Sequence, residues 1–181
     1  MAASPPRTTR YVLVPRAARW WTRRVSVPTL YEWAGGAPAF ERLFAAFYVK
    51  VRADPELGEL FRDMDPGHPR HVAAWLGEVF GGPKAYSEQR GGHAHMVGKH
   101  VGRAITERQR RRWVELLQDA ADEAGLPADP EFRAAFTGYV EWGSRMAVLL
   151  SQPGATPDPH EPMPTWTWVL PPWQPPGDGD A

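Results

Sequence analysis

The chain has 181 residues, 43% of them hydrophobic, with 21 basic and 21 acidic side chains and a formal net charge of zero. That length suits one domain with tails and is enough for a sizeable core, and the charge balance supplies no global field to draw nucleic acid or an anionic membrane. The lack of cysteine excludes disulfides, thiolate metal sites and a cysteine nucleophile, and no apolar run approaches the roughly 20 residues needed to span a bilayer.

Charge and composition divide the chain. Residues 1–27 carry Arg7, Arg10, Arg16, Arg19, Arg23 and Arg24 and no acid, so the remainder is acidic. The apolar pieces in this arm, Tyr11 to Val14 and Trp20-Trp21, are too short for a signal-peptide core, and a cytoplasmic protein is expected. Residues 28–151 read as the folded domain. Residues 152–181 hold nine of the 20 prolines together with Trp166, Trp168 and Trp173, which suits an extended tail rather than a helix or a central strand. Three tryptophans disfavour a freely solvated tail, so it is expected to dock, over its own domain or across a homodimer.

Inside the folded segment the helical period dominates. Phe40, Leu43, Phe44, Phe47, Tyr48 and Val51 recur at helical spacing and predict a helix over 38–53, with Pro38 in the first turn and Asp54-Pro55 at its end. A short helical turn follows across Glu56 to Arg62. Val72, Trp75, Leu76 and Val79 predict a helix over 69–80, closed by Gly81-Gly82-Pro83. Residues 84–98 are rich in glycine and histidine and show no clean period. Trp113, Leu116, Leu117, Ala120, Ala121 and Ala124 form a regular stripe over 107–124, with Thr106 as N-cap and Gly125 as stop. Asp129-Pro130 opens a last helix over 131–150 carrying Phe132, Phe136, Tyr139 and Val140. No stretch sustains the alternation of a strand, so the fold class is all-α.

Five of the six histidines, His68, His71, His93, His95 and His100, lie within one short region. They can be surface side chains in a loop. They can also form a zinc site, although His93 and His95 at i, i+2 face apart on a helix and no carboxylate or thiolate completes a recognisable spacing. A third reading is haem, which needs one imidazole on an apolar wall, a second wall opposite, and basic or hydroxyl groups at the rim. His100 meets the first demand, and Tyr86, Arg90 and Lys99 can supply the rim for the propionates. Tyr48 sits at the edge of its stripe, where its hydroxyl either marks the margin of the core or donates to a ligand on iron. Trp113 belongs to a core stripe, and its indole N–H needs a partner if buried.

In this order and spacing the residues resemble the group II truncated haemoglobins over about 28–151. Tyr31-Glu32-Trp33-Ala34-Gly35-Gly36 is similar to the family's opening Y-x-x-x-G-G, and Phe47-Tyr48 to its B-helix F-Y. Gly81-Gly82-Pro83 with Tyr86-Ser87-Glu88-Gln89-Arg90-Gly91 resembles G-G-P-x-x-Y-S-x-x-R-G, the most specific of the motifs. His93 resembles the histidine of G-H-P, His100 the proximal histidine seven residues on, and Trp113 the G-helix tryptophan that marks group II. The sequence departs from the pattern in four places. His100 is followed by Val101-Gly102-Arg103 instead of x-P-F, one extra glycine stands at Gly91-Gly92, Ala94 replaces the proline of G-H-P, and Phe61 stands where a tyrosine is frequent.

The resemblance implies a two-over-two helical sandwich, with helices B (38–53) and E (69–80) over G (107–124) and H (131–150) around non-covalent haem b. It implies His100 as the axial iron ligand. It also implies a distal pocket of Tyr48, Trp113 and His68, with Phe61, Val72 and Leu76 packed on the porphyrin. Donors in a dry pocket retain bound dioxygen and slow its release, which points to oxygen, nitric oxide or peroxide chemistry, or to sensing, rather than bulk transport. With no flavin or nicotinamide fingerprint in the chain, electrons are expected from a separate reductase. The competing class is a haem-free helical module whose basic arm, with the run Arg108-Gln109-Arg110-Arg111-Arg112, engages nucleic acid or an acidic partner.

Overall fold

The computed structural model describes residues 27–172; the arginines of the basic arm and Trp173 lie outside the described residues. The chain runs through α1 (Leu30–Ala34), α2 (Ala37–Ala53), a 3₁₀ turn (Gly58–Phe61), α3 (His68–Val79), α4 (Ala85–Arg90), α5 (Gly92–Gly98), α6 (Glu107–Glu123) and α7 (Pro130–Ser151). The described residues are helical or irregular, as an all-α fold requires.

The helix ends follow from local chemistry. Thr106 and Gln109 form a reciprocal capping box at the start of α6. Asp129 accepts from the Phe132 N–H at 2.9 Å to open α7, and its second oxygen accepts from the Trp33 indole at 2.9 Å, tying α1 to α7. Asp54 stops α2 in an extended conformation before Pro55, and its Oδ1 accepts from the N–H groups of Glu56 and Leu57. Helix α3 begins at His68, one residue before the sequence-based start, because Pro69 falls in the first turn, where an N–H is dispensable.

Two helices were not foreseen. The stretch read as irregular over 84–98 contains α4 and α5, joined by Gly91 and Gly92 in the left-handed region, with φ of 84° and 68°. Helices of six and seven residues are too short to print a period. The extra glycine is the hinge between them.

Helices α2 and α3 pack on each other, α2 crosses α6, and α6 pairs with α7. Phe40, Phe44, Phe47, Phe80, Phe132 and Phe136 are fully buried between these layers. Burial of each such ring contributes about 2–3 kcal/mol before entropy is subtracted. The glycine motifs meet at a single ring: Tyr31 stacks on Phe40 at 5.7 Å and lies against Gly77 and Gly82. A Cβ on Gly82 would stand 2.7 Å from both the Gly77 carbonyl oxygen and Tyr31 Cδ2, so the double-glycine turn is required by the close approach of α1 to α3.

The basic run that supported the haem-free reading is largely engaged within the chain. Arg108 pairs with Glu56, Arg110 with Glu107 and Glu141, Arg111 with Glu107, and Arg112 with Asp54 and Glu115. Cations in a first helical turn oppose the helix dipole; here these acids offset them. The tail folds back as expected. Trp166 N–H donates to the Val79 carbonyl at 2.8 Å, its indole to the Ala135 carbonyl at 2.9 Å, and the Trp168 indole to the Pro28 carbonyl at 2.7 Å.

Candidate functional site

A cavity of about 870 Å³ opens between the two helical layers, walled by α2, α3, the α4–α5 pair, α6 and α7. His100 lines it from the turn that follows α5. Its Nδ1 donates to the Met96 carbonyl at 3.1 Å. That bond fixes the tautomer and leaves the lone pair on Nε2. Burial pushes the imidazole below the ordinary histidine range, and the nearby Arg103 adds to this, against the opposing pull of the Met96 bond. At neutral pH His100 therefore offers an unprotonated ring nitrogen, the form that binds a metal.

Across the cavity, Tyr48 of α2 reaches His68 at the start of α3, with hydroxyl and Nε2 2.8 Å apart. His68 thus turns inward. Tyr48 is 4% exposed, and burial raises its phenol pKa far above the ordinary value. His68 is held below its ordinary range, first by burial and then by the neighbouring His71 and His100. Both groups are accordingly neutral at physiological pH. Phe61 packs beside this pair, 5.7 Å from the Tyr48 ring. Trp113 lies edge-on to Phe47 at 5.0 Å and lines the cavity, and its indole N–H finds no protein acceptor among the described residues. Val72 and Leu76 add aliphatic surface from α3.

The rim is cationic. Arg90 and Lys99 border the cavity, and Arg90 donates to His71 Nδ1 at 2.7 Å. Tyr86 sits deeper than a rim residue: it is 6% exposed and lies edge-on to Trp75 at 5.2 Å. Three cavity residues were named from the sequence but given no part in the haem pocket there: His71, one helical turn after His68, His93 and Trp75. His93 stacks on Trp75 at 5.7 Å, with its Nδ1 3.6 Å from Glu161 of the tail and without a hydrogen bond. Trp75 donates its buried indole N–H to the Tyr139 hydroxyl at 3.0 Å; only the fold brings those two together. Among the described residues no group of three or more His, Cys, Asp or Glu side chains is placed to hold a metal ion, so the zinc reading finds no support.

Residues 29–137 match the family model for bacterial-like globins. The chain belongs to that family. Among curated relatives, the group 2 truncated hemoglobin YjbI of Bacillus subtilis is 28% identical over 113 residues, spanning 62% of this chain and 83% of that protein. Solved structures agree. The hemoglobin of Chloroflexus aurantiacus is 36% identical, with a TM-score of 0.60 over 66% of this chain and 97% of that one. The truncated oxygen-avid haemoglobin of Bacillus subtilis is 27% identical, with a TM-score of 0.60 over 67% and 99% of the two chains. The two-over-two sandwich is therefore the fold of this globin, and haem b bound non-covalently is its cofactor. The cavity fits that group in chemistry as well as in space. A free imidazole nitrogen faces apolar walls, and cations stand at one edge. The haem-free alternative is not supported.

No helix among the described residues is long and apolar enough to cross a membrane.

Proposed function

We propose that this globin binds dioxygen and related diatomic ligands on haem held by His100, and that it serves redox chemistry or sensing rather than bulk transport. The carrying observation is the His100–Met96 hydrogen bond, which commits Nδ1 to a carbonyl and leaves Nε2 for iron. When bound, ferrous haem supplies the open coordination position at which such ligands attach. The chain's residues decide how long they stay. Tyr48 and His68 share one hydrogen bond; with the His68 proton on Nε2, that ring donates to the Tyr48 oxygen, and the phenolic proton is free to point into the cavity. Trp113 adds a second unsatisfied donor, and Phe61, Val72 and Leu76 keep water out. Donors in so dry a space favour a ligand that gathers negative charge over one that does not. At the rim, Arg90, with His71 oriented beside it, and Lys99 are the partners for the propionates. Reducing electrons come from a separate cytoplasmic reductase, since the chain carries no nucleotide-binding fingerprint.

The test is His100→Ala, purified with added haem b. Loss or marked displacement of the Soret band is expected, with restoration by exogenous imidazole. An unchanged spectrum would remove His100 from the iron.

A further inference from the structure

A second cluster of aromatic rings runs from the cavity wall to the surface, and no ligand-holding role explains it. Trp75 and Tyr139 line the cavity, are nearly fully buried, and are joined by the 3.0 Å indole-to-hydroxyl hydrogen bond. Tyr139 then contacts two indoles, Trp166 of the tail at 5.7 Å and Trp142 of α7 at 6.0 Å. Those two indoles stack on each other at 6.0 Å and 29°. Trp142 is 40% exposed, an unusual placement for so large an apolar ring. Trp142 and Trp166 both lie beyond the 29–137 stretch that matches the family model.

We propose that the stacked Trp142–Trp166 pair is a surface oxidation site, at which a phenolic donor gives up single electrons to the cavity through Tyr139 and Trp75. The inference rests on the haem reading above, and the oxidant is a hydroperoxide. The balance is simple. The O–O bond of the hydroperoxide breaks and accepts two electrons and two protons, giving an alcohol and water. Two phenols each lose one electron and one proton and leave as phenoxyl radicals. Haem, when bound, would supply the two-electron chemistry with the peroxide; the chain's rings carry the electrons one at a time.

The local chemistry assigns each ring its part. Oxidised tyrosine must shed its proton, and the Tyr139 hydroxyl, buried and already accepting from Trp75, has no base against it among the described contacts. Tyr139 therefore bridges and does not hold the missing electron. A stacked indole pair shares that deficit over two ring systems, which makes it the easier place to oxidise. The Trp166 indole N–H is held by the Ala135 carbonyl, whereas the Trp142 indole N–H has no protein acceptor among the described residues and belongs to a 40% exposed side chain. The exposed face of Trp142 offers a flat π surface on which a phenol ring can stack. Trp142 also borders the cavity, so a small phenol stacked there is oxidised at that edge without reaching the haem.

The experiment uses the full chain reconstituted with haem b, hydrogen peroxide as oxidant and guaiacol as donor. With no guaiacol and a nitroso spin trap present, peptide mass spectrometry is expected to place the adduct on Trp142 or Trp166, and saturating guaiacol to suppress it. In Trp142→Phe, which preserves ring packing, the adduct at 142 disappears and guaiacol turnover falls about tenfold. The Soret band and the rate at which peroxide perturbs it stay as in the wild type. Trp166→Phe gives a smaller loss of the same kind. Adducts confined to Tyr48 and Trp113, or wild-type guaiacol turnover in Trp142→Phe, would overturn the proposal and leave the haem assignment standing. A full chain that gains no Soret band with haem overturns the haem assignment and this proposal together.

Discussion

Replacing Tyr48 by phenylalanine tests the distal pocket where its geometry is most explicit. The substitution keeps the ring, which is 4% exposed and packed against Phe44, Phe47 and Phe61, and removes only the oxygen that lies 2.8 Å from His68 Nε2. Without haem, His68 Nε2 still faces an open cavity that water can enter, so the loss of stability is that of one ordinary hydrogen bond, about 1 kcal/mol. On the function proposed above, the same hydroxyl would donate to a haem ligand carrying partial negative charge, and such a bond contributes roughly 1.5–3 kcal/mol. At 1.36 kcal/mol per decade, dioxygen dissociation should speed up by about 10- to 160-fold. Carbon monoxide gathers little charge, and its dissociation should change by less than about threefold, since the packing is untouched. Stopped-flow displacement with both gases reads the contrast. His68→Leu completes a double-mutant cycle: if His68 acts by orienting the phenol, the double variant releases dioxygen no faster than Tyr48→Phe alone. Equal acceleration of both gases in Tyr48→Phe would refute the reasoning, because a packing change and not a lost donor would then govern release.

Three further predictions follow from the frame around the site. Gly82→Ala drives a Cβ to 2.7 Å from a backbone oxygen and from the Tyr31 ring, so its thermal midpoint should fall by the equivalent of about 3 kcal/mol; an unchanged melt would mean that α1 and α3 separate at no cost. Asp54 is 7% exposed; burial alone would raise its carboxyl, but the Arg112 guanidinium and the N–H groups of Glu56 and Leu57 outweigh that and hold it below the usual carboxylate range. Its stabilising contribution is therefore complete above the unfolded value of about 3.9 and is lost as pH falls through the folded one, so Asp54→Asn should be less stable than wild type at pH 7 and converge with it in acid; a stability gap that persists at the acid end would contradict this. Trp168→Ala removes the 2.7 Å bond to the Pro28 carbonyl and the edge contacts with Trp33 and Phe132, and should cost about 2 kcal/mol in chemical denaturation, whereas a loss near zero would show that the tail is only laid on the surface.

The parts of this globin that were legible in the sequence are those whose physics is local or periodic. The stripes of α2, α3, α6 and α7 announce their buried faces, and Thr106, Asp129 and Pro130 mark helix starts by side-chain chemistry that needs no tertiary context. His100 was legible as a candidate ligand because one imidazole stood at a family spacing, and the acceptor that its Nδ1 requires is the Met96 carbonyl, one helical turn earlier. What was not legible depends on chain folding back on itself. Helices α4 and α5 are too short for a period. The meeting of Trp75 with Tyr139 joins residues 64 apart, and the contact of Glu161 with His93 arises only because the tail crosses the cavity edge. The arginines of α6 looked anomalous as a local pattern for the same reason: two of their acids, Asp54 and Glu56, come from the end of α2 and the turn beyond it.

That fold-back gives the tail a part in the cavity itself. Glu161 and Pro164 form part of the wall, and the anchors that hold them are spread over three places: the Val79 carbonyl at the end of α3, the Ala135 carbonyl in α7, and the Pro28 carbonyl before α1. A segment rich in proline has little backbone freedom to lose when it is pinned, so a few hydrogen bonds and indole contacts suffice to order it. Because its anchors lie on both layers of the sandwich, the tail resists their separation at the edge where α4 and α5 leave the stack. The cavity edge beside His93 is thus closed by a segment outside the stretch that the family model matches, and any change that frees the tail must also open that edge to water.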